Sequence, residues 1–278
     1  MADYKFTADI AKFDPNATGY FGENALVLAD CARLAYRPEK EVAKAMQQWG
    51  FQNFKFFNAN STQAFVAGND TMVIVAFRGT AGLDDLWSDA KAKPAERPFG
   101  DVHEGFNDAL QEVWGEEPIT EDMRAYIKQF QDNNQSIWFC GHSLGAALAA
   151  LATAEFLLVD GGAVNGLYTI GQPRVGNGEF AKNFNKVAAN RSFRFVNNND
   201  VVTRVPVPGK ILDYTHVGRE LYIDSSGILH SSIPWWKKSW DRLKGAAKDI
   251  GKKGLDGLKD HGSDRYVELI EKNRAMTL

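Results

Sequence analysis

The stretch Ser136–Phe156, SIWFCGHSLGAALAALATAEF, joins an apolar run to a glycine-bounded serine and then to a series of small residues. The apolar run predicts a buried strand, and the alanine-rich remainder predicts a helix that packs closely against a sheet. Between them, Gly141-His142-Ser143-Leu144-Gly145 fits the pattern GxSxG, in which a serine occupies a sharp strand-to-helix turn. The stretch therefore predicts an α/β fold with Ser143 at the carboxyl end of a strand.

The residues on both sides of this stretch continue the alternation of strands and helices. The predicted strands are Met72–Phe77, Ile137–Cys140, Gly166–Ile170 and Phe193–Val196. The predicted helices are Asn24–Tyr36, Glu41–Trp49, Glu104–Val113, Glu121–Gln131, Ser143–Leu158 and Gly178–Ala188. This order indicates an α/β architecture, a mainly parallel central sheet with helices on both faces. In such sheets the active crevice lies beyond the carboxyl ends of the strands.

Composition narrows the class of protein. A chain of 278 residues is long enough for one large core, so we predict one domain over residues 1–278. The net charge of -3, from 32 basic and 35 acidic residues, argues against a nucleic-acid partner. The longest apolar stretch, Ala146–Val159, is interrupted by polar residues, so no transmembrane segment is predicted. The first residues lack the pattern of a secretory signal, which predicts a cytoplasmic protein or one secreted without a classical signal.

Neither a disulfide scaffold nor a metal site is predicted. The two cysteines, Cys31 and Cys140, sit in apolar patterns that favour buried free thiols. The five histidines show no HExxH spacing, and we expect neither a metal nor another cofactor.

A serine hydroxyl is a weak nucleophile, so Ser143 needs a base and an orienting carboxylate from other strand-end loops. In folds with the GxSxG turn, the acid follows the serine in the chain and the histidine follows the acid. Asp200, in NNNDVVTRVP, is the first carboxylate after the strand FRFV. A solvated turn aspartate is the plain alternative for Asp200, and Asp213 and Asp224 are rivals within or beside later strand-like segments.

Each of the five histidines can be compared with the position that a base requires. His142 adjoins the serine and should point away from its hydroxyl, whereas His103 precedes the serine in the chain. His216 has strand-like neighbours that favour a structural role. His230 and His261 remain. We favour His261, because it lies in a short polar, glycine-containing loop just before a final helical pattern.

Ester or amide chemistry at a serine also requires donors for the developing oxyanion. The backbone amide of Leu144, directly after the nucleophile, is one candidate. The segment VIVAFRGT delivers Thr80 to the end of an earlier strand, where both its amide and its hydroxyl can serve as donors.

Seven motifs in this chain resemble those of the class 3 lipase family, the fungal-type triacylglycerol lipases with an α/β-hydrolase fold. In order they are AFRGT, VHEGF, GHSLGAALAAL, YTIGQPRVGN, NNNDVVTRVP, YTHVGREL and DHGSDRY. The resemblance implies that Ser143 is the nucleophile and that Asp200 and His261 complete the triad. It further implies that Thr80 and Leu144 form the oxyanion hole.

The resemblance also implies the activity, a carboxylic-ester hydrolase that acts on an acylglycerol or another lipid ester. A triacylglycerol lipase comes first, with a phospholipase A1 or a short-chain esterase as alternatives. A lipase-like fold that has lost catalysis and serves as a binding module is the alternative from another class.

Members of this family carry a lid after the FRG segment, and residues 81–99 occupy that place. Leu83, Leu86 and Trp87 fall on one face of a predicted helix, with acidic residues opposite. Such an amphipathic segment can cover an apolar acyl pocket in water. The plain alternative is an ordinary surface loop.

Two features depart from the secreted fungal relatives. The apparent lack of disulfides makes the chain look like a bacterial or intracellular member. The interval 234–260 has eight basic and four acidic residues, a net charge of +4, with Trp236 and Trp240 at helical spacing. A basic face beside an aromatic edge suits transient contact with an anionic lipid interface. The alternative is a surface helix that packs its apolar stripe on the domain.

Overall fold

A computed structural model describes residues 4–79, 93–114, 122–206, 213–232, 234 and 260–278. Several predicted features lie outside these ranges: Thr80, the lid residues Leu83, Leu86 and Trp87 with most of 81–99, and residues 235–259 of the basic interval. In the part of the chain that is described, no helix has the length and apolarity of a membrane span.

Eight strands of the described residues form one sheet. They are β1 (Asn53–Asn58), β2 (Gln63–Gly68), β3 (Met72–Phe77), β6 (Ser136–His142), β7 (Gly166–Ile170), β8 (Ser192–Asn197), β9 (Arg219–Ile223) and β10 (Leu229–His230). Their order is β1-β2-β3-β6-β7-β8-β9-β10. The neighbouring pairs β3-β6, β6-β7, β7-β8 and β8-β9 are parallel. The edge pairs β1-β2, β2-β3 and β9-β10 are antiparallel. Two short strands, β4 (Pro94–Ala95) and β5 (Val102–His103), pair separately.

Helices cover both faces of this sheet. They are α1 (Gly22–Leu34), α2 (Glu39–Gln48), α3 (Glu104–Trp114), α4 (Met123–Phe130), α5 (Leu144–Leu158), α6 (Gly178–Ala188) and α7 (Ser263–Lys272). Short 3-10 turns occupy Ile10–Lys12, Ala189–Arg191 and Val202–Arg204. The buried residues of α1, α2 and α7 share one core, and those of α3 to α6 share the other.

The strand period of two explains why there are two cores. In β3, Val73 and Val75 face the α3 to α6 side, whereas Ile74 and Ala76 face the α1 and α7 side. All six residues of β3 are buried, which is why this strand reads as a continuous apolar run. Burial of both faces at the sheet centre leaves the strand ends as the places where polar side chains can meet.

The predicted α/β architecture is confirmed, with differences at element boundaries. Strands β3 and β7 and helix α6 have the predicted bounds. Strand β6 runs two residues further than the apolar pattern, because Gly141 and His142 still pair with Thr169 and Ile170 of β7. The prediction of buried free thiols at Cys31 and Cys140 is also confirmed.

Candidate active site

Ser143 lies between β6 and α5 in a strained backbone conformation. Its φ and ψ angles are 59° and -127°, a backbone region that residues other than glycine rarely occupy. The Ser143 amide donates to the Ile170 carbonyl at 2.9 Å, and this contact ties the turn to the end of β7. A backbone hydrogen bond between Ser143 and Ile170, and not the serine side chain, therefore helps to hold the strained conformation.

The two glycines of the turn are required by close backbone contacts. A Cβ atom on Gly141 would overlap the carbonyl of Gly145, one turn into the helix. A Cβ atom on Gly145 would overlap the backbone carbonyl of Phe77 at the end of β3. Helix α5 can approach the sheet this closely only because both positions lack side chains.

His261 and Asp200 form a buried pair beside this turn. His261 Nδ1 lies 2.8 Å from Asp200 Oδ2, and the side chains are 3% and 0% exposed. Asp200 follows β8, and His261 comes from the short loop that leads into α7. Gly171, at the end of β7 with φ of 61°, makes room for both, because a Cβ there would lie 2.8 Å from His261 Cε1.

Further donors surround the Asp200 carboxylate. The Val202 amide donates to Asp200 Oδ1 at 2.9 Å, and the Tyr266 hydroxyl donates to Oδ2 at 2.6 Å. The same Tyr266 oxygen accepts a bond from the Asn197 amide at 2.9 Å. Burial, followed by the charge of Asp200, raises the pKa of Tyr266, which keeps this hydroxyl a donor. Several directed bonds thus fix the orientation of the carboxylate.

Two reactive atoms in this region have no hydrogen-bond partner among the described residues. They are Ser143 Oγ and His261 Nε2, and both are buried. Because Nδ1 of a neutral His261 donates its hydrogen to Asp200, Nε2 is the nitrogen that can accept a proton. The arrangement can therefore remove a proton from a hydroxyl in a site shielded from water.

Leu144 directly follows Ser143, at the position that the sequence predicts for an oxyanion donor. As the first residue of α5, its amide has no partner within the helix, and the helix dipole favours negative charge there. Gly79, after β3, lies close to the serine, since a Cβ on Gly79 would lie 3.0 Å from Ser143 Cβ. The segment that leads into Thr80 therefore reaches the serine, although Thr80 itself is outside the described residues.

His142 points away from the serine hydroxyl, as its place in the sequence predicts. Its Nδ1 lies 2.8 Å from the Tyr36 hydroxyl, and its Nε2 lies 2.6 Å from the backbone carbonyl oxygen of His261. Sequence reasoning missed both contacts. It also missed Tyr266, whose place in a helical apolar pattern indicated only a core residue.

The remaining histidines lie elsewhere. His230, in β10, pairs through Nε2 with Asp224 Oδ2 at 2.7 Å near the sheet edge. His103 stacks on Phe106 with ring centroids 4.1 Å apart, and His216 Nε2 lies 2.9 Å from the Thr203 carbonyl oxygen. Within the described ranges, no group of three or more His, Cys, Asp or Glu is placed to hold a metal ion.

Comparison with known proteins connects this geometry to a family. The profile of the family described as lipase (class 3) matches residues 74–210. The chain is 33% identical to Phospholipase A1-II 4 of Oryza sativa subsp. japonica, over 56% of this chain and 40% of that protein. It is 29% identical to Triacylglycerol lipase OBL1 of Arabidopsis thaliana, over 70% of this chain and 48% of that protein. The chain thus spans about half the length of the curated relatives it matches.

A solved structure extends the likeness to the fold. Rhizomucor miehei triacylglyceride lipase superposes with a TM-score of 0.56 at 26% identity, over 72% of this chain and 79% of that chain. In this chain, Ser143 follows β6 and Asp200 follows β8, whereas His261 lies just before α7. Residues 74–210 therefore match the class 3 lipase profile, and the chain has an α/β-hydrolase fold.

Proposed function

We propose that the protein is a serine carboxylic-ester hydrolase that acts on lipid esters through Ser143, His261 and Asp200. One observation carries the proposal: a buried histidine–carboxylate pair lies beside a strained serine, with Ser143 Oγ and His261 Nε2 free of other partners among the described residues. Catalysis by serine and histidine needs this combination of a weak nucleophile, an adjacent base and an orienting acid.

In this proposal His261 Nε2 takes the proton from Ser143 Oγ as the oxygen attacks the ester carbonyl. The resulting imidazolium then gives that proton to the leaving alcohol, and an acyl-enzyme remains. Water, deprotonated by the same Nε2, then attacks the acyl group. The bond from Ser143 Oγ to the acyl carbon breaks, the imidazolium returns its proton to Oγ, and the acid is released. Asp200 keeps the Nδ1–H tautomer of His261 and stabilises its positive charge throughout.

The oxyanion of each tetrahedral intermediate needs donors that are already in place. We assign this role to the Leu144 amide, at the start of α5, and to Thr80. Gly79 supports the second assignment, because it brings the chain that leads into Thr80 against Ser143. Each such donor contributes about 3 or 4 kcal/mol to transition-state stabilisation.

Among lipid esters, a triacylglycerol is the proposed substrate. The names of the relatives support this class, since they include a triacylglycerol lipase and also a phospholipase A1. The second name keeps phospholipid esters, cleaved at the first acyl position, as the alternative. We further propose that residues 1–278 form one catalytic domain, since the sheet from β1 to β10 is continuous.

Hydrolysis of nitrophenyl esters by the wild type and by Ser143→Ala tests the activity. We expect turnover by the wild type and a loss of about 10⁵-fold or more in the variant. Equal rates for the two proteins, across all acyl lengths, would favour the binding module without catalysis. Both proteins should show the same thermal midpoint, so that the loss is assigned to chemistry.

Substrate comparison separates the members of the class. Faster hydrolysis of palmitate than of butyrate esters, with a rise in rate when an emulsion forms, is expected of a lipase. A preference for soluble butyrate would favour a short-chain esterase. Release of one fatty acid from phosphatidylcholine at a rate above that from triolein would favour the phospholipase.

Contact with a lipid interface is a separate proposal based on the sequence. The basic interval 234–260, with its tryptophans, is proposed to bind anionic lipid transiently, and residues 81–99 to act as a lid. Deletion of residues 235–253 should lower activity on anionic vesicles while activity on soluble butyrate esters is retained. Unchanged activity on the vesicles would contradict the proposal.

Origin and cellular location stay predictions. The two buried free thiols agree with a cytoplasmic protein or with a bacterial member of the family. Relatives from plants and fungi, some of them named as secreted, do not support either statement. Fractionation of the source cells with an antibody against the chain would test the location.

A further inference from the structure

Two side chains, Tyr36 and His142, and the backbone carbonyl of His261 form a continuous polar chain behind the triad. The Tyr36 hydroxyl, just after α1, contacts His142 Nδ1 at 2.8 Å. His142 Nε2 in turn contacts the backbone carbonyl oxygen of His261 at 2.6 Å. Within the described residues, this polar chain makes no hydrogen bond to Ser143 Oγ or His261 Nε2, yet it ends on the residue that carries the proposed base.

The direction of each hydrogen bond in the chain can be assigned. A carbonyl oxygen only accepts, so the hydrogen of neutral His142 must lie on Nε2 and be donated to His261. The Nδ1 atom is then an acceptor, and the Tyr36 hydroxyl is the donor that satisfies it. Tyr36 therefore selects the tautomer of His142 that can hold the His261 carbonyl.

We propose that His142 and Tyr36 are positioning residues that fix the backbone of His261, and that through it they fix the direction in which Nε2 faces Ser143. The proposal rests on the proposed hydrolase function. With it, His261 is held at two points, its ring by Asp200 and its backbone by His142. Two-point fixation matters because misplacement of a reacting group by about 1 Å can cost about a hundredfold in rate.

His142 is suited to this role because it stays neutral. Burial, and then the nearby His261, lower the pKa of His142 to about 3. The two imidazole rings lie 4.6 Å apart, so a charged His142 would oppose the imidazolium that forms on His261 during turnover. The other titratable groups that face His142 are Tyr36, Asp200 and Tyr266.

The polar chain also borders the oxyanion segment. A Cβ atom on Gly79 would overlap the Tyr36 hydroxyl, which places that hydroxyl directly against the backbone that leads into Thr80. Tyr36 thus contacts two parts of the proposed machinery, the support of His261 and the strand end after β3. Removal of its hydroxyl should affect turnover more than substrate binding.

The first experiment compares Tyr36→Phe with Tyr168→Phe. Both remove one hydroxyl from the α1 side of the sheet, but among the described residues the Tyr168 hydroxyl hydrogen-bonds to the Phe21 amide and the Gly19 carbonyl oxygen, away from the triad. For Tyr36→Phe we expect kcat to fall about tenfold with KM within about twofold of wild type. For Tyr168→Phe we expect kcat within about twofold of wild type. Equal kcat values for the two variants would overturn the role of Tyr36.

The second experiment uses two substitutions of His142, one that keeps a hydrogen-bond donor and one that removes it. Gln can place an amide N–H near the position of Nε2, whereas Phe keeps a ring and has no donor. We expect kcat to fall about a hundredfold in His142→Phe and to recover at least about tenfold in His142→Gln. A Gln variant no faster than the Phe variant would show that the donated bond is not what matters.

Phosphonylation of Ser143 by a fluorophosphonate separates positioning from loss of structure. The end point counts the competent molecules, and the rate constant reports how well His261 activates the serine. We expect unchanged end points and lower rate constants for Tyr36→Phe and His142→Phe. Lower end points with wild-type rate constants would overturn the positioning role. An inactive wild type would instead refute the proposed hydrolase, so the two failures are distinguishable.

Discussion

Two histidine–carboxylate pairs among the described residues have nearly the same nitrogen–oxygen distance and very different surroundings. His261 Nδ1 lies 2.8 Å from Asp200, and His230 Nε2 lies 2.7 Å from Asp224. The side chains of the first pair are 3% and 0% exposed, and those of the second are 33% and 18% exposed. Distance therefore does not distinguish a candidate catalytic pair from a surface pair, whereas burial does.

The partners of each carboxylate extend the contrast. Asp200 accepts bonds from Tyr266 and from the Val202 amide in a dry region. Asp224 lies in a turn after β9, and there its Oδ1 accepts from the Ser226 and Ile228 amides. Burial alone would raise the pKa of Asp224. The hydrogen bonds from His230 and from the two amides outweigh burial, so the pKa is lowered. Water weakens such a pair, because exposed charges interact in a high dielectric.

Removal of each histidine gives the largest expected difference between the two pairs. We expect His261→Ala to lower kcat by about 10⁵- to 10⁶-fold, since the proposed base is lost. His230→Ala should stay within about twofold of wild type, because that pair has no strained serine beside it. Rates on a nitrophenyl ester measure both. Activity that survives in His261→Ala and disappears in His230→Ala would reverse the assignment.

Neutralisation of the carboxylates comes next. Asp200→Asn should lower kcat by about 10⁴-fold, because an amide in that place no longer favours the Nδ1–H tautomer of His261. Asp224→Asn keeps the shape of the surface turn and serves as the matched control. Equal losses in the two variants would mean that the contrast in burial carries no functional meaning.

A smaller effect is expected from the support of Asp200. Tyr266→Phe removes one bond to the carboxylate and leaves the Asn197 amide without its acceptor, so unfolding should become easier by about 1 to 3 kcal/mol. Reorientation of Asp200 should also lower kcat/KM about tenfold. Urea unfolding and steady-state kinetics measure the two effects.

Tyr222→Phe is the control for this support. Tyr222 lies in β9, directly across from His230 in the neighbouring strand. The substitution removes a buried hydroxyl that donates to Asn198 Oδ1 at 3.1 Å. We expect a comparable loss of stability and kcat/KM within about twofold of wild type. A tenfold loss in this variant would contradict a specific role for Tyr266.

The smallest expected effect is the pH dependence of the stability that the surface pair of His230 and Asp224 contributes. The folded-state pKa of Asp224 is lowered, so the ionised form contributes stability above the unfolded-state pKa of about 4, and the contribution is lost as pH falls through the folded-state value. We expect Asp224→Asn to lower the free energy of unfolding by about 0.5 to 1 kcal/mol at pH 7. The difference from wild type should shrink below about pH 4. A difference that grows on acidification would show the opposite sign of shift.

Much of the fold and of the candidate site could be predicted from the chain alone. The strand β3 and the turn at Ser143 could be predicted, because each is marked by adjacent residues: an all-apolar run in β3 and two glycines around Ser143. Chain order then pointed to Asp200 and His261. The C-terminal end of β6 was harder to predict, because Gly141 and His142 pair with β7 but do not continue the apolar pattern of the strand.

The supporting contacts could not be predicted in the same way. Tyr266 carries the spacing of a core residue on α7, and only the docking of α7 on the sheet brings its hydroxyl to Asp200. Tyr36 and His142 are 106 positions apart in the chain, and no periodicity connects them. A hydrogen bond between distant elements leaves no local sequence pattern, because each of the two residues also fits the spacing of its own helix or strand.

The sequence by itself determined the strand-turn-helix at Ser143, the α/β alternation and a short set of acids and histidines, since these follow from side-chain period, glycine geometry and chain order. Only the tertiary structure decided that Asp200 meets His261 while Asp224 meets His230. Both pairs offer the same chemistry in the printed sequence. The parallel pairing of β6, β7 and β8 and the packing of α7 set which pair is buried beside the serine, and burial strengthens its hydrogen bonds.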